Sequence, residues 1–180
     1  TSPNGQIFFS FDINGGHPEY AVQYKNQTLI EHSSIGLSFI NNDLFGNDIT
    51  IGKAVVSDGV EDYTLPEGKT SKVHDAYKEA SIPMQDNKKR LIVFHVRIFN
   101  DGIGFRYEFP LQQNWNSYTL TDENTTFNLI NNPTATVGFL ENFLTSHEHR
   151  YDKMPLKDIK NDTLMDMPAL FEFPGKTYMA

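Results

Sequence analysis

Cysteine is absent from this sequence of 180 residues. Without a thiol, neither a disulfide framework nor a thiolate metal site can form. Apolar runs of membrane-spanning length are also missing, and no stretch has the pattern of a signal peptide, so we expect no membrane partner. The chain opens on TSPNG beside a predicted strand, as a trimmed fragment or a mature secreted protein would, and both interpretations stay open.

Basic residues are scarce as well. The sequence has 15 Lys and Arg against 23 Asp and Glu, which gives a formal net charge of −8. A chain with this balance and no basic stripe is not expected to bind nucleic acid. The one basic cluster, LysLysArg at 88–90, precedes a predicted strand, and we interpret it as a solvated turn and not as a phosphate site.

Motifs that carry chemistry are missing too. The sequence has no Walker loop, no dinucleotide fingerprint, no GxSxG elbow and no HExxH, so it assigns no catalytic residue. The nearest candidate is SHEHRYD at 146–152, where His147 and His149 would share one face of a strand and could chelate a metal with a third ligand. A polar cluster in a loop or at a sheet edge explains the same residues, and we expect that instead of a metal site.

What the sequence does have is alternation of apolar residues in short runs. Aromatic residues make up 13% of the chain, and aromatic and β-branched residues favour strands. Turn signals such as AsnGlyGly at 14–16 and Lys25-Asn26-Gln27 separate the runs. The alternating positions are Ile7, Phe9, Phe11 and Ile13, then Tyr20, Val22 and Tyr24, then Ile35, Leu37 and Phe39, then Ile49 and Ile51 with the run Ala54-Val55-Val56, and later Tyr118, Leu120, Phe127 and Leu129.

This pattern predicts an all-β fold, an antiparallel β-sandwich with at most one or two short helical turns. Residues 57–71, rich in Asp, Glu, Gly and Pro, are predicted to be a loop. Only Phe139, Leu140, Phe143 and Leu144 have helical spacing. We find no internal repeat or linker, so residues 1–180 are predicted to form one domain.

The strongest local signal is the hairpin LIVFHVRIFNDGIGFRYEFP at 91–110. Asp101-Gly102 suits a two-residue turn, since Gly adopts the positive φ that such turns need. That turn would place Ile98 opposite Phe105 on an apolar face, and Arg97 opposite Arg106 on the other face. Two opposed arginines repel, so we expect a carboxylate from a neighbouring strand between them.

Four segments and their order make the chain resemble the N-terminal domain of glycoside hydrolase family 97, the α-glucosidases and α-galactosidases of gut Bacteroidetes. The opening residues 2–39 end on the Ser-x-x-Gly-Leu of the family, VHDAYKE at 73–79 precedes the hairpin, and RLIVFHVRIFNDGIGFRYEFP is the closest match. LENFLTSHEHRYDKMPL and MPALFEFPGKTYMA resemble the segments that lead towards the barrel. The chain departs from the pattern at Leu65-Pro66-Glu67-Gly68 and at Thr136-Val137, which leaves glucoside or galactoside specificity open.

The resemblance implies a galactose-mutarotase-like super-sandwich that accompanies a catalytic (β/α)₈ barrel and a small C-terminal domain. The family's catalytic carboxylates and most calcium ligands lie on the barrel, and the sandwich lends one glutamate shortly after the strand that looks like GKTYMA. The resemblance therefore implies calcium in the parent enzyme but no catalytic or metal residue within these 180 residues. It also implies an α-linked oligosaccharide as the parent's substrate, the protein's own barrel as the partner of this domain, and a periplasmic or secreted bacterial location.

Two rival functions stay open. A stand-alone carbohydrate-binding domain could stack sugar rings on Trp115, Tyr118 and Tyr151, although we favour core or turn packing for those side chains. A structural module that binds only another protein is the third alternative.

The late part of the chain is dense in apolar residues with little alternation. The residues concerned are Phe139, Leu140, Phe143, Leu144, Met154, Leu164, Met165, Met167, Leu170 and Phe171. A monomer seldom leaves such a patch in water, so we expect part of this region to be exposed where a missing barrel would cover it. The alternative is that these side chains fill the core of the sandwich.

Overall fold

A computed structural model describes residues 1–180, and almost all of its regular structure is β-strand. The strands are β1 (Ile7–Asn14), β2 (His17–Tyr24), β3 (Gln27–Ser34), β4 (Leu37–Phe39), β5 (Asp43–Phe45), β6 (Thr50–Ile51), β7 (Val55–Thr64), β8 (Lys72–Gln85), β9 (Leu91–Ile98), β10 (Ile103–Glu108), β11 (Leu120–Glu123), β12 (Thr134–Gly138), β13 (Tyr151–Pro155), β14 (Leu170–Phe173) and β15 (Thr177–Met179). All strand pairs are antiparallel. The prediction of an all-β antiparallel fold is confirmed.

Helical structure is limited to two 3₁₀ turns, Ile40–Asn42 and Leu156–Asp158. The helical spacing at Phe139, Leu140, Phe143 and Leu144 does not correspond to a helix in the structure. Phe139 instead forms a β-bridge with Met165. None of the helical segments has the length and hydrophobicity that a membrane-spanning helix requires.

The chain forms two compact units, Thr1–Asn128 and Leu129–Ala180. In the first unit the strand orders are β1-β2-β3, β10-β9-β8-β6 with β7 also paired to β8, and β11-β4-β5. Alternation along β1 and β2 turns one face of that sheet inward, where Phe9 and Phe11 stack on Phe94 with ring centroids 6.5 and 5.5 Å apart. Phe94, on β9, has no exposed surface. Two sheets thus share an aromatic core, as a sandwich requires.

The turns at the start of the chain follow the predicted chemistry. Gly15 and Gly16 have φ values of 58° and 87°, and Lys25 and Asn26 have 47° and 65°. Two successive residues with positive φ match the right-handed twist of the flanking strands, which is why Gly and Asn are favoured in such hairpins. The position of the first turn sets the register of β1 against β2, and the second turn brings β3 alongside β2. The alternation of apolar residues in the sequence did not predict β3.

The hairpin of β9 and β10 exists, but its register differs from the prediction by two residues. Ile98 pairs with Ile103 and Val96 with Phe105, and a hydrogen bond from Phe99 N–H to the Gly102 carbonyl closes the turn around Asn100 and Asp101. A shift of two keeps every side chain on its predicted face. Gly102 does not have the positive φ that we predicted, and a Cβ there would meet open space, so a Gly102→Val substitution should cost little stability.

The predicted loop at 57–71 is wrong for residues 57–64 and correct for residues 65–71, which connect β7 to β8. Ten residues of it and its flank form β7, which pairs along its whole length with the fourteen-residue β8. β7 has no inward face, since almost every one of its residues is exposed, whereas β8 buries Ile82 and Met84 towards its C-terminal end. β8 contains Pro83, and proline normally argues against a central strand because it has no N–H to donate. Its carbonyl still accepts a hydrogen bond from Gly52 N–H.

The second unit is one four-stranded sheet of order β13-β12-β14-β15. Its small core consists of Ala135, Val137 and Ala169, against which Phe139, Ile159, Met165 and Phe171 pack half-buried. Phe173 of β14 is also buried, with 2% of its surface exposed.

Candidate functional site

Two of the three aromatic residues predicted to stack on sugars come together in the first unit. Trp115 and Tyr118 have ring centroids 5.1 Å apart, and each packs edge-on against Phe39. Phe109 stacks on Tyr118 at 4.4 Å. We call these four residues the Trp115 cluster. Trp115 is half-buried and Tyr118 is 46% exposed, so the cluster combines internal packing with one open ring.

Arg90 lies beneath the Trp115 cluster and corrects the prediction for the basic run at 88–90. Its guanidinium carbon is 5.0 Å from the Trp115 ring centroid, and only 5% of the residue is exposed. Nε donates to Asp86 Oδ2 at 2.7 Å, Nη1 to Asp43, and Nη2 to the Leu44 carbonyl at 2.7 Å. Arg90 is therefore a buried structural cation and not part of a solvated turn.

The charges around Arg90 also affect the titration of Asp43. Partial burial raises the pKa of Asp43, but the hydrogen bond from Lys88 and the charge of Arg90 outweigh it and hold the pKa below its ordinary value. Lys88 itself is largely exposed. Asp43 lies far from Arg90 in sequence, so no local pattern could have revealed this pairing.

The face of the first unit that carries the hairpin charges is an ion-pair network. Arg97 donates to Glu79 of β8 and to Glu61 of β7, and its guanidinium carbon lies 4.2 Å from the Tyr77 ring centroid. His95 Nε2 is 2.7 Å from Glu108 Oε2, and His95 Nδ1 is 2.9 Å from Ser81 Oγ. The predicted carboxylate from a neighbouring strand is present as Glu79, although Arg97 faces Gly104 and not Arg106.

Each charge in this network already has a partner, as expected of structural surface charges. The hydrogen bond from Arg97 lowers the pKa of Glu79 despite partial burial. The network ties β7, β8, β9 and β10 together across one sheet face.

The two predicted metal-binding histidines lie in the second unit, where they approach one carboxylate. His147 Nδ1 is 3.0 Å from Asp166 Oδ1, and His149 Nε2 is 3.6 Å from Asp166 Oδ2. Both lie in the loop that precedes β13, and His147 has a φ of 60°. The structure contains no group of three or more His, Asp and Glu residues that could hold a metal ion. The two histidines and Asp166 form a polar cluster in a loop.

Gly138 explains how His149 fits. A Cβ at Gly138 would lie 1.7 Å from His149 Nε2, so the ring occupies space that only glycine leaves free. His149 Nε2 is buried and has no hydrogen-bond partner. Tyr151, the third predicted sugar-stacking residue, lies 5.7 Å from His149 between ring centroids and is 52% exposed. It belongs to the second unit, and the structure shows it packed on the histidine.

The second unit also exposes apolar surface, as predicted. Phe143 and Leu144 are 80% and 95% exposed, Met167 is 72% exposed, and Leu170 is 40% exposed. We call these four residues the apolar patch. The other six residues of the predicted set are half-buried, and none of the ten is fully buried. Such exposure in a small unit is typical of a surface that another part of a protein covers.

The antiparallel sheets define an all-β sandwich domain. The chain belongs to the N-terminal domain family of glycosyl hydrolase 97, whose family model matches residues 1–180. The resemblance noted in the sequence is thereby confirmed.

Solved structures agree with this assignment. A glycoside hydrolase family 97 enzyme from Pseudoalteromonas sp. strain K8, solved in complex with panose and also with acarbose, is 27% identical to this chain with a TM-score of 0.84. The match covers 97% of this chain but only 26% of that enzyme. A beta-arabinopyranosidase shares the fold, with a TM-score of 0.88 at 20% identity over 99% of this chain and 30% of its own.

Proposed function

We propose that this chain is the N-terminal β-sandwich domain of an exo-acting α-glycoside hydrolase, an α-glucosidase or an α-galactosidase, and that it packs on the catalytic barrel and shapes one wall of the active-site pocket. The apolar patch is the observation that carries this role. Phe143 and Leu144 are almost fully exposed and Met167 is largely exposed, and a protein that left such side chains in water would be prone to association. The barrel of the same protein would cover them.

The other properties of the parent enzyme are part of the same proposal. Its substrate would be an α-linked oligosaccharide, in keeping with the panose and acarbose complexes of the Pseudoalteromonas enzyme, and it would be periplasmic or secreted. Calcium would belong to the parent's active site. The catalytic carboxylates would lie on the barrel.

An activity measurement tests whether the hydrolytic activity resides outside these 180 residues. We expect the longer protein to hydrolyse a chromogenic α-glucoside or α-galactoside, and the 180-residue chain to show no turnover with or without calcium. Turnover by the short chain that disappears when one of its own residues is replaced would contradict the proposal.

A matched pair of variants tests the packing role in the longer protein. Phe143→Ser with Leu144→Ser should lower its melting temperature while leaving that of the 180-residue chain unchanged, because these side chains are 80% and 95% exposed in the short chain. Leu111→Ser, at a fully exposed leucine of the first unit, serves as the control.

A stand-alone carbohydrate-binding module is the second candidate, and the open face of the Trp115 cluster is the observation that favours it. Aromatic rings with an accessible face stack on sugar rings. Because Trp115 is the only tryptophan, its fluorescence reports directly on this site. Under our proposal, panose at millimolar concentration leaves the emission unchanged. A saturable quench that Tyr118→Ala removes, but Tyr151→Ala does not, would favour the binding module instead.

A further inference from the structure

The outer edge of β10 borders an open groove in the first unit. β10 is the last strand of its sheet, and the groove beside it has a volume of about 680 Å³. Its walls are mainly apolar, with Phe105 on the β10 side and Leu37, Leu120 and Phe127 on the other. Leu120 and Phe127 are about half exposed, so the groove opens to solvent along the edge of the sandwich.

The backbone direction of β10 follows from the hairpin hydrogen bonds. Phe99 and Gly102 are joined by a backbone hydrogen bond, and in an antiparallel ladder hydrogen-bonded pairs alternate with non-bonded pairs. Gly104 and Arg106 therefore bond to β9. Ile103, Phe105 and Tyr107 direct their N–H and C=O groups away from it, along the border of the groove.

The opposite edge of the same sheet differs in its charge. β7 carries Asp58, Glu61 and Asp62, and charged side chains on an exposed strand are a known device against edge-to-edge pairing. β10 has only Arg106 and Glu108, of opposite sign, and Glu108 is engaged by His95. The edge of β10 thus lacks the acidic protection of β7 and has apolar surface next to it.

We propose that an extended strand from the part of the parent protein outside these 180 residues pairs with β10 and fills the groove with its inward side chains. The proposal rests on the proposed function, because the occupant is a segment of the longer hydrolase. The Pseudoalteromonas enzyme supports that occupant, since this chain spans only 26% of its length. Backbone donors and acceptors in a row are best satisfied by another backbone, as in strand addition to a sheet edge. A small ligand would leave most of them unpaired.

Hydrogen exchange at single-residue resolution tests the proposal in the 180-residue chain and in the longer protein. The outward amides of Ile103, Phe105 and Tyr107 should exchange quickly in the short chain. In the longer protein they should slow by at least about tenfold, as amides in a formed ladder do. Gly104 and Arg106 are matched controls on the same strand, because their amides bond to β9 in both proteins and report any general change in stability.

Each other outcome overturns the proposal. If the outward amides exchange equally fast in both proteins, nothing pairs with β10, while hydrolysis by the longer protein would still uphold the proposed function. Slowing in the short chain that grows with protein concentration, together with a dimer in sedimentation, would make a second copy the occupant. Slowing in the short chain only when panose is added would make the groove a saccharide site.

Discussion

Replacing Phe94 by alanine should lower the free energy of unfolding of the chain by about 3–5 kcal/mol, the usual cost of removing a buried aromatic side chain. Phe94 is fully buried and touches aromatic rings from both sheets, with Phe11 at 5.5 Å and Phe105 at 5.3 Å between centroids. The neighbouring strands are held by their ladders and cannot collapse fully into the space, so a cavity remains. Urea denaturation followed by far-ultraviolet circular dichroism measures the change.

Phe8→Ala is the matched control for Phe94→Ala. Phe8 is on β1 with its side chain on the opposite face from Phe9, and 45% of it is exposed. Surface changes usually alter stability by less than about 0.5 kcal/mol, and we expect a value near that limit. Equal losses for the two variants would show that the contact between β1 and β9 does not form the core.

The second large effect is expected at Arg90. Arg90→Ala should cost about 3–5 kcal/mol, because removing one partner of a buried ion pair leaves the other charge buried and uncompensated. The stranded group is Asp86, of which 4% is exposed. Arg90→Lys retains the charge but cannot reproduce the three directed bonds. Its free energy of unfolding should therefore lie between that of Arg90→Ala and that of the wild type. Lys88→Ala removes an exposed ion pair with the same Asp43 and should cost less than about 1 kcal/mol.

The Arg90 prediction includes a pH dependence. Asp43 has a folded-state pKa below its ordinary value of 3.8, so its contribution to stability is present above that value and is lost as the pH falls through the lower folded-state pKa. Below this range the carboxyl group is protonated in both states. We therefore expect the gap in stability between wild type and Arg90→Ala to narrow under acid conditions, in denaturation experiments at a series of pH values. A gap that stays constant from neutral pH into strong acid would contradict the ion-pair explanation.

Local chemistry in the sequence was sufficient wherever one strand follows another through a short turn. Gly15, Gly16 and Asn26 adopt positive φ, and Gly and Asn are the residues that signal such turns in a sequence. The hairpin of β9 and β10 was predicted with the correct faces. Its register was not predicted correctly. A turn around Asn100 and Asp101 and a turn around Asp101 and Gly102 differ by two residues in the pairing of β9 with β10, and both leave every side chain on the same face. The packing of Phe94 and Phe105 distinguishes the two registers.

The long hairpin of β7 and β8 shows where local chemistry was insufficient. Residues 57–64 have little apolar alternation because β7 buries no face, so its acidic composition resembled a loop. Its position beside β8 is stabilised by contacts such as the hydrogen bond from Arg97 to Glu61. Arg97 belongs to a third strand, β9. A pattern rule that looks for one buried face cannot detect a strand without one.

By itself, the sequence determined that this protein is an all-β sandwich domain of glycosyl hydrolase family 97, because strand alternation, turn residues and the order of four segments are properties of the linear chain. Only the tertiary structure decided that Arg90 is a buried cation, that His147 and His149 meet Asp166, and that one sheet edge is protected while the other borders a groove. These features depend on residues brought together from distant strands. Their burial and partners are set by the packing of sheets, which is not encoded in any local stretch.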